Sequence, residues 1–392
     1  MKCTIRQVKK QYFDGTHRYK SPEETHADIA PLMDRIGVTE VVDITHLDRL
    51  GIPVFSAVRP KAAPGAARVH AGKGKEPIHA EVSAMMEALE RYSSEYHGDP
   101  MEYSTYEELG IHRAVDPEDL LLPRRIGQDE KIHWTPSWDI LSDEEVFVPS
   151  NAVFHPYDSL GMAMPLFRSD TNGLASGNVM EEAILHGILE VIERADLSLA
   201  EEKRSLGRRL TIEHDCPARE VIDRFEENGV SIHLWLLEGK TGIPTVAAAA
   251  DDTVTRDPGM LVIGSGTHTC PEIAALRAIT EVAQSRGSYL QGGRSDPQRE
   301  EFLRRAGYDR LKRINRMWFA DADAIEITDV PDISTQYFDE DIRRTLAEVG
   351  AHTDRVCVCD LSRTAVPVVR IVIPGFEVSY MDKDRRRTDR PA

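Results

Sequence analysis

Hydrophobic and polar positions along this chain fall into helical and extended periods, and three helical stretches repeat one design. Between Asn172 and Ser198, a loop rich in Gly and Asn (Asn172, Gly173, Gly177, Asn178) gives way to a helix pattern. At about 100° per residue, Ile184, Leu185, Ile188, Leu189, Val191 and Ile192 share one apolar side. Glu182, His186, Glu190 and Glu193 gather opposite, within roughly 80° of arc. Ser83 to Ser94 repeats the pattern: Val82, Met85, Met86, Leu89 and Tyr92 are apolar, and Ser83, Glu87 and Glu90 share a stripe. Glu87-x-x-Glu90-Arg91 and Glu190-x-x-Glu193-Arg194 are the same five-residue word. A weaker copy spans Arg277 to Arg286, with Arg277, Glu281 and Gln284 on one face and Leu276, Ile279, Val282 and Ala283 on the other. Glycines precede each copy: Gly72 and Gly74, Gly173 and Gly177, Gly264 and Gly266. One such stripe alone reads as a solvated face. Three copies of loop, helix and stripe predict that the stripes turn inward on a shared site.

The remaining pattern predicts strands alternating with helices, hence a mixed α/β fold. Ser21-Pro22-Glu23-Glu24 is a helix start with a capping box, and that helix is expected to run to about Ile36 before Gly37. Strands are expected over 39–45, 52–59, 205–215, 230–236, 245–250, 260–264, 355–360 and 367–373, with a hairpin over 131–138 and 144–149. Helices are expected over 218–228, 271–287, 296–313 and 341–349. Residues 102–118 and 125–130 read as polar connections, and 155–164 as loop.

At 392 residues the chain is long enough for two domains, but three related helices serving one site favour a single unit over 1–392. No apolar run reaches the ~20 residues needed to span a bilayer, and no signal peptide is evident, so a cytoplasmic location is expected. A net charge of −18 disfavours nucleic acid as partner. Residues 378–392 form a basic tail, dense from Lys383 to Arg390, read as a frayed terminus. Five scattered cysteines without a Cys-x-x-Cys read as structural thiols in a reducing compartment, and Cys357 and Cys359 should share one sheet face.

The stripes suggest a metal–triphosphate site. Carboxylates are hard oxygen ligands suited to Mg²⁺, which takes one or two of them with phosphate oxygens and water. Arginine and the N–H groups at helix starts would hold the phosphates. Gly72-Lys73-Gly74-Lys75 could bring a lysine to phosphate, though it is too short for a Walker A loop.

Ser83-x-x-x-Glu87-x-x-Glu90-Arg91, the Glu182/His186/Glu190/Glu193 helix and Glu281-x-x-Gln284-x-Arg286 resemble the three signature motifs of the YcaO family, whose members are ATP-dependent and activate peptide backbone amides. The resemblance extends from about Arg18 to about Glu377. It implies one large α/β unit, usually a homodimer, with ATP and Mg²⁺ as cofactors. It implies that Glu87, Glu90, Glu190 and Glu193 hold metal, and that Glu87, Glu190 and Arg286 are catalytic. Ser83, Gln284 and Arg286 would contact nucleotide, together with Asn178, His186, Arg277 and Glu281. Arg18 and Thr25 keep the spacing of a family Lys and Ser that touch nucleotide. By helical periodicity, however, Arg286 falls about 170° from the centre of its stripe, and a helix ending before Gly287 would release it inward.

In the family an amide oxygen is phosphorylated and leaves as phosphate, while the nucleophile decides the product. A neighbouring Cys, Ser or Thr gives an azoline, an amine an amidine, and sulfide a thioamide. Azoline-forming members usually carry an extra peptide-binding domain and a Pro-x-Pro-x-Pro tail, which this chain lacks. The stretches Gly15-Thr16-His17-Arg18, Gly37-Val38-Thr39, Leu47 to Val54 and Pro367-Val368-Val369-Arg370 look most like stand-alone archaeal members. The resemblance therefore implies thioamide formation on a protein substrate, thioglycine in the methyl-coenzyme M reductase alpha subunit, with a TfuA-like partner and a sulfide source. Two other classes are a carboxylate-rich metal hydrolase without ATP and a non-catalytic scaffold. The missing His-Glu-x-x-His word argues against the first, and the complete set of Glu positions against the second.

Overall fold

The computed structural model describes residues 2–292 and 297–385. Three sheets each end in an edge strand that runs into one of the repeated helices. The first sheet orders Glu40–Asp43, Val54–Val58 and Val69–Lys73 antiparallel, and its last strand leads into the first motif helix, Pro77–Ser94. A second sheet runs Glu102–Ser104, Ile132–Asp139, Cys357–Asp360, Val368–Val372, Leu174–Ser176, with Glu144–Pro149 pairing beside Ile132–Asp139. Its end strand, Leu174–Ser176, leads into the second motif helix, Met180–Lys203. The third sheet runs Ile263–Thr267, Thr245–Asp252, Val230–Leu236, Arg208–Thr211, Ala324–Glu326. Its edge strand Ile263–Thr267 leads into the third motif helix, Pro271–Gln291. The fold is mixed α/β, as the alternating pattern predicts.

Each motif helix folds back across its own strand, and small residues make that approach possible. A Cβ on Gly72 would stand 2.1 Å from the carbonyl oxygen of Ala80, and one on Gly266 would stand 2.3 Å from that of Ala274. Any larger residue would push strand and helix apart. Behind this contact the apolar faces bury fully. Met85 and Leu89 pack with Ile29 and Ile36; Ile188 and Ile192 pack with Ile342, Val369 and Ile371; Ile279 and Val282 pack with Phe225 and Val246. Removing one such side chain, as in Leu89→Ala, costs about 2–5 kcal/mol.

Several expected boundaries shift for local reasons. The helix from Ser21 keeps its capping box with Glu24, but Pro31 breaks it into Pro22–Ile29, a 3₁₀ turn and Met33–Ile36. Gly37 ends it at φ 82°. The expected polar connection over 102–118 contains a short strand, Glu102–Ser104, and a turn of helix capped by Thr105. The strands expected over 205–215 and 260–264 are Arg208–Thr211 and Ile263–Thr267. The helix expected over 296–313 divides at Gly307, φ 71°, into Pro297–Ala306 and Tyr308–Ile314; Asp296 lies outside the described residues. Residues 386–392 of the basic tail also lie outside them. Arg385 is not frayed: it is buried, donates to Asp170 Oδ2 at 3.0 Å and stacks over Phe167. Cys357 and Cys359 do share one buried face. Among the described residues, no helix is long and apolar enough to cross a membrane.

Candidate active site

Aligned on their shared word, the three helices place Glu87, Glu190 and Glu281 at one position and Glu90, Glu193 and Gln284 one turn later. This later side chain reaches the edge strand of the next unit in every case. Glu90 accepts from the backbone N–H and the hydroxyl of Ser176 at 2.9 and 2.7 Å. Glu193 accepts from Ser265 Oγ at 2.8 Å and from the N–H of Thr267 at 3.1 Å. Gln284 donates to the carbonyl of Ala71. The first unit thus binds the second, the second the third, and the third the first. The change from Glu to Gln in the third copy follows from its partner, since a carbonyl needs a donor. Lys73 adds to the last link with a 2.9 Å ion pair to Glu281.

The three units surround one cavity of about 880 Å³. Ser83, Glu87, Glu90, Asn178, His186, Glu190, Glu193, Arg277, Glu281 and Gln284 all line it, as do Arg18 and Thr25 from the N-terminal segment. The latter two are tied to the second unit. Arg18 donates to Glu182 Oε1 at 3.1 Å, and Thr25 Oγ1 to Asn178 Oδ1 at 3.0 Å. The second motif helix is no solvated face: Glu182 and Glu193 are each 3 % exposed.

The cavity is less one-sidedly acidic than the stripes suggest. Lys20, Lys73, Lys75, Arg91 and Arg194 line it beside Arg18 and Arg277, so cations match carboxylates closely. Burial pushes Glu90 up to about 7, against the pull of Arg91 and the Ser176 bonds, with Glu190 and Glu87 adding to the rise. Burial also raises Glu190, and Glu193 adds to it, while Arg194 and Arg91 oppose. For Glu281, burial acts upward but Lys73 and Arg194 outweigh it, and the carboxyl is held below its usual range. His186 is pushed far down by burial and by Arg277, so it is neutral, accepting from Arg277 at 3.2 Å. Nε of Arg194 and of Arg277 are buried with no hydrogen-bond partner among the described residues. Carboxylates of raised proton affinity beside unsatisfied guanidinium groups are a donor set that fits a divalent cation with its phosphates.

Arg286 does not belong to this lining. The third helix continues to Gln291 rather than ending before Gly287, so Arg286 stays on the far face. There it is fully buried, paired with Asp48 Oδ2 at 2.7 Å and Asp252 Oδ2 at 3.2 Å. The expectation that it meets nucleotide is corrected by the geometry: it joins the third helix to the first and third sheets. Other lining residues escape sequence reasoning, among them Ser176, and Tyr380 and Met381 from the C-terminal segment; Glu182 belongs to the expected stripe, but its bond to Arg18 is not legible in the sequence. A hydroxyl residue or lysine immediately after a small residue (Gly72, Ala175, Gly266), at the end of each strand, is the signal shared by Lys73, Ser176 and Thr267.

Residues 71–377 match the family model described as YcaO cyclodehydratase, ATP- and Mg²⁺-binding. The chain belongs to the YcaO family. An uncharacterized protein of Methanothermobacter thermautotrophicus is 46% identical over 373 residues, covering 93% of this chain and 96% of the relative. A Rhizobium leguminosarum bv. trifolii protein, named as uncharacterized in the tfuA 3′ region, is 32% identical over 393 residues, covering 93% of this chain and 90% of its own. The solved structure of YcaO from Methanopyrus kandleri, bound with AMPPCP and Mg²⁺, superimposes with a TM-score of 0.82 at 30% identity, covering 98% of this chain and 99% of that one. This YcaO chain is accordingly an ATP-dependent, peptide-modifying enzyme whose cofactors are ATP and Mg²⁺.

Proposed function

We propose that this YcaO chain activates a backbone amide of a protein substrate and replaces its oxygen with sulfur, forming a thioamide. The observation that carries the reading is the convergence of Glu87, Glu90, Glu190 and Glu193 with unsatisfied guanidinium groups on one cavity. Those four glutamates would hold Mg²⁺. Arg18, Arg194 and Arg277 would hold phosphates, with Ser83, Thr25, Asn178, His186, Glu281 and Gln284 fixing the nucleotide around them. Glu87 and Glu190, at the matched earlier position of the first two words, act on the reacting groups. Bound Mg-ATP supplies the phosphoryl group that makes amide oxygen a good leaving group. The chain's part is positioning and charge compensation.

Sulfide is the nucleophile in this reading, adding to the amide carbon as oxygen departs with phosphate. No cysteine lines the cavity among the described residues, and Cys270, nearest the third helix, is pushed up to about 11 by burial. That favours sulfide delivered from outside over an enzyme-borne persulfide, and a TfuA-like partner is the proposed donor. The place of the Rhizobium relative in a tfuA 3′ region supports that choice. Glycine of methyl-coenzyme M reductase is the substrate proposed from the resemblance to stand-alone archaeal members. The whole chain works as one unit, and as a homodimer. The family description as cyclodehydratase favours azoline formation on Cys, Ser or Thr as the second reading.

Mass spectrometry of a glycine-containing substrate peptide, incubated with chain, partner, Mg-ATP and sulfide, decides between them. Thioamide formation gives a mass gain equal to exchanging one oxygen for sulfur. Loss of one water without any need for sulfide would establish the azoline.

A further inference from the structure

Outside the cavity, the third sheet and the third motif helix bring together a second set of metal-ligating side chains. One nitrogen of His214, the sulfur of Cys216 and a carboxylate oxygen of Glu272 all lie within 4.8 Å of one another. Ligands of a tetrahedral zinc ion, bonded at about 2.0–2.3 Å, stand roughly 3.5 Å apart. Closing the cluster on an ion therefore needs movements of about 1 Å, within reach of side-chain rotation. We propose that His214, Cys216 and Glu272 form a zinc site, separate from the Mg²⁺–nucleotide cavity, that ties the loop before helix Pro217–Glu227 to the first turn of the third motif helix.

The surroundings of each ligand fit this assignment. His214 Nε2 faces Glu272 Oε1 at 2.8 Å, and Nδ1 lies 3.7 Å from Glu326 Oε1. Glu326 is itself fixed, accepting from Thr211 Oγ1 at 2.6 Å and from the N–H of Glu213 at 3.0 Å. A carboxylate behind the remote nitrogen would set the tautomer and aim Nε2 at a metal placed between it and Glu272, the arrangement that commonly backs zinc-bound histidines. Nδ1 of His214 makes no hydrogen bond in the described residues, so it is available to close on Glu326 as the ring turns.

Cys216 is 8 % exposed and is the N-cap of helix Pro217–Glu227, an eleven-residue helix. The positive end of that helix suits a thiolate once a cation offsets its burial. Glu272 is half-exposed, leaving room for water in the fourth position. On binding, zinc replaces the proton shared by His214 and Glu272, and the thiol loses its own proton to solvent. The thiolate and imidazole select zinc or cobalt over magnesium, which prefers an all-oxygen shell.

The test uses the full chain, reduced, stripped with chelator and saturated with Mg²⁺ so that the cavity carboxylates do not compete. Added Co²⁺ should produce a near-ultraviolet thiolate-to-cobalt band that one equivalent of Zn²⁺ removes. Cys216→Ser should abolish the band, and Cys270→Ser should retain it. Glu326→Gln, which leaves every ligand in place, should weaken zinc about 10–100-fold. Circular dichroism of each variant checks that the fold is kept. Absence of the band in the unmodified chain, or its survival in Cys216→Ser, overturns the proposal and leaves His214 as an imidazolium held between two carboxylates.

Discussion

Glu90, on the first motif helix, accepts two hydrogen bonds from Ser176, on the edge strand of another sheet 86 residues away. The backbone N–H gives one and the hydroxyl the other. Ser176→Ala should keep the first and lose the second, costing about 1–3 kcal/mol because a buried carboxylate loses a charge-assisted partner. Thermal melting of the nucleotide-free chain measures the loss. An unchanged melting temperature would mean that the contact between units does not hold them.

Glu190→Gln should abolish ATP turnover while leaving the fold intact. Burial and Glu193 already push Glu190 towards its neutral form, so an amide relieves repulsion at the same place where it removes a metal ligand. Stability of the nucleotide-free chain is expected to hold or rise. ADP release and a melting curve on the same sample check both halves.

Arg286→Ala should act on folding first. Its guanidinium faces Asp48 and Asp252, away from the cavity; truncation leaves Asp48 without its cation and the buried Asp252 with Arg49 alone. Breaking a buried pair in this way costs about 3–5 kcal/mol. A variant with unchanged melting temperature but no ATP turnover would return Arg286 to a catalytic role.

Asp196 gives the chain a pH dependence of known sign. Burial raises its carboxyl from the ordinary 3.8 to about 7, despite bonds from Thr245 Oγ1 and the N–H of Lys240. The folded state therefore holds a proton between about pH 4 and 7 that the unfolded chain has released. Through that window stability falls as pH rises, by on the order of a few kcal/mol in total. Asp196→Asn should be the more stable form at pH 8, and its advantage should vanish near pH 4. Denaturant titrations across that range would show it; equal pH profiles would count against it.

By light scattering at micromolar concentration the chain is expected to be a dimer, since closed two-fold pairs are the commonest assembly and the resemblance implies one. A monomer there would refute that reading.

Much of this was legible in periodicity because the repeated helices bury polar stripes as regularly as apolar ones. Two carboxylates three residues apart must share a face, so Glu87 with Glu90 and Glu190 with Glu193 follow from helix geometry alone. The angular offset of Arg286 was equally legible and spoke correctly against its placement in the cavity. What could not be read were relations between sheets. Leu174–Ser176 is three residues long, too short for any alternation to show, yet it supplies the donors to Glu90. The pairing of Lys73 with Glu281 spans 208 residues, and no local period encodes it. The helix over 296–313 failed for the opposite reason, since its polar pattern continues through Gly307 while the backbone there turns left-handed.

The closed circuit of three units has a kinetic consequence. Two of its links close over 86 and 72 residues, but the third, Gln284 to Ala71 and Glu281 to Lys73, closes over 213 and 208. Contacts of that sequence separation are slow to form because loop closure comes before its reward. A nascent chain released before the third helix is complete would therefore present the first two carboxylate pairs on an open surface. Metal affinity would arrive late in folding, all at once, as the ring shuts.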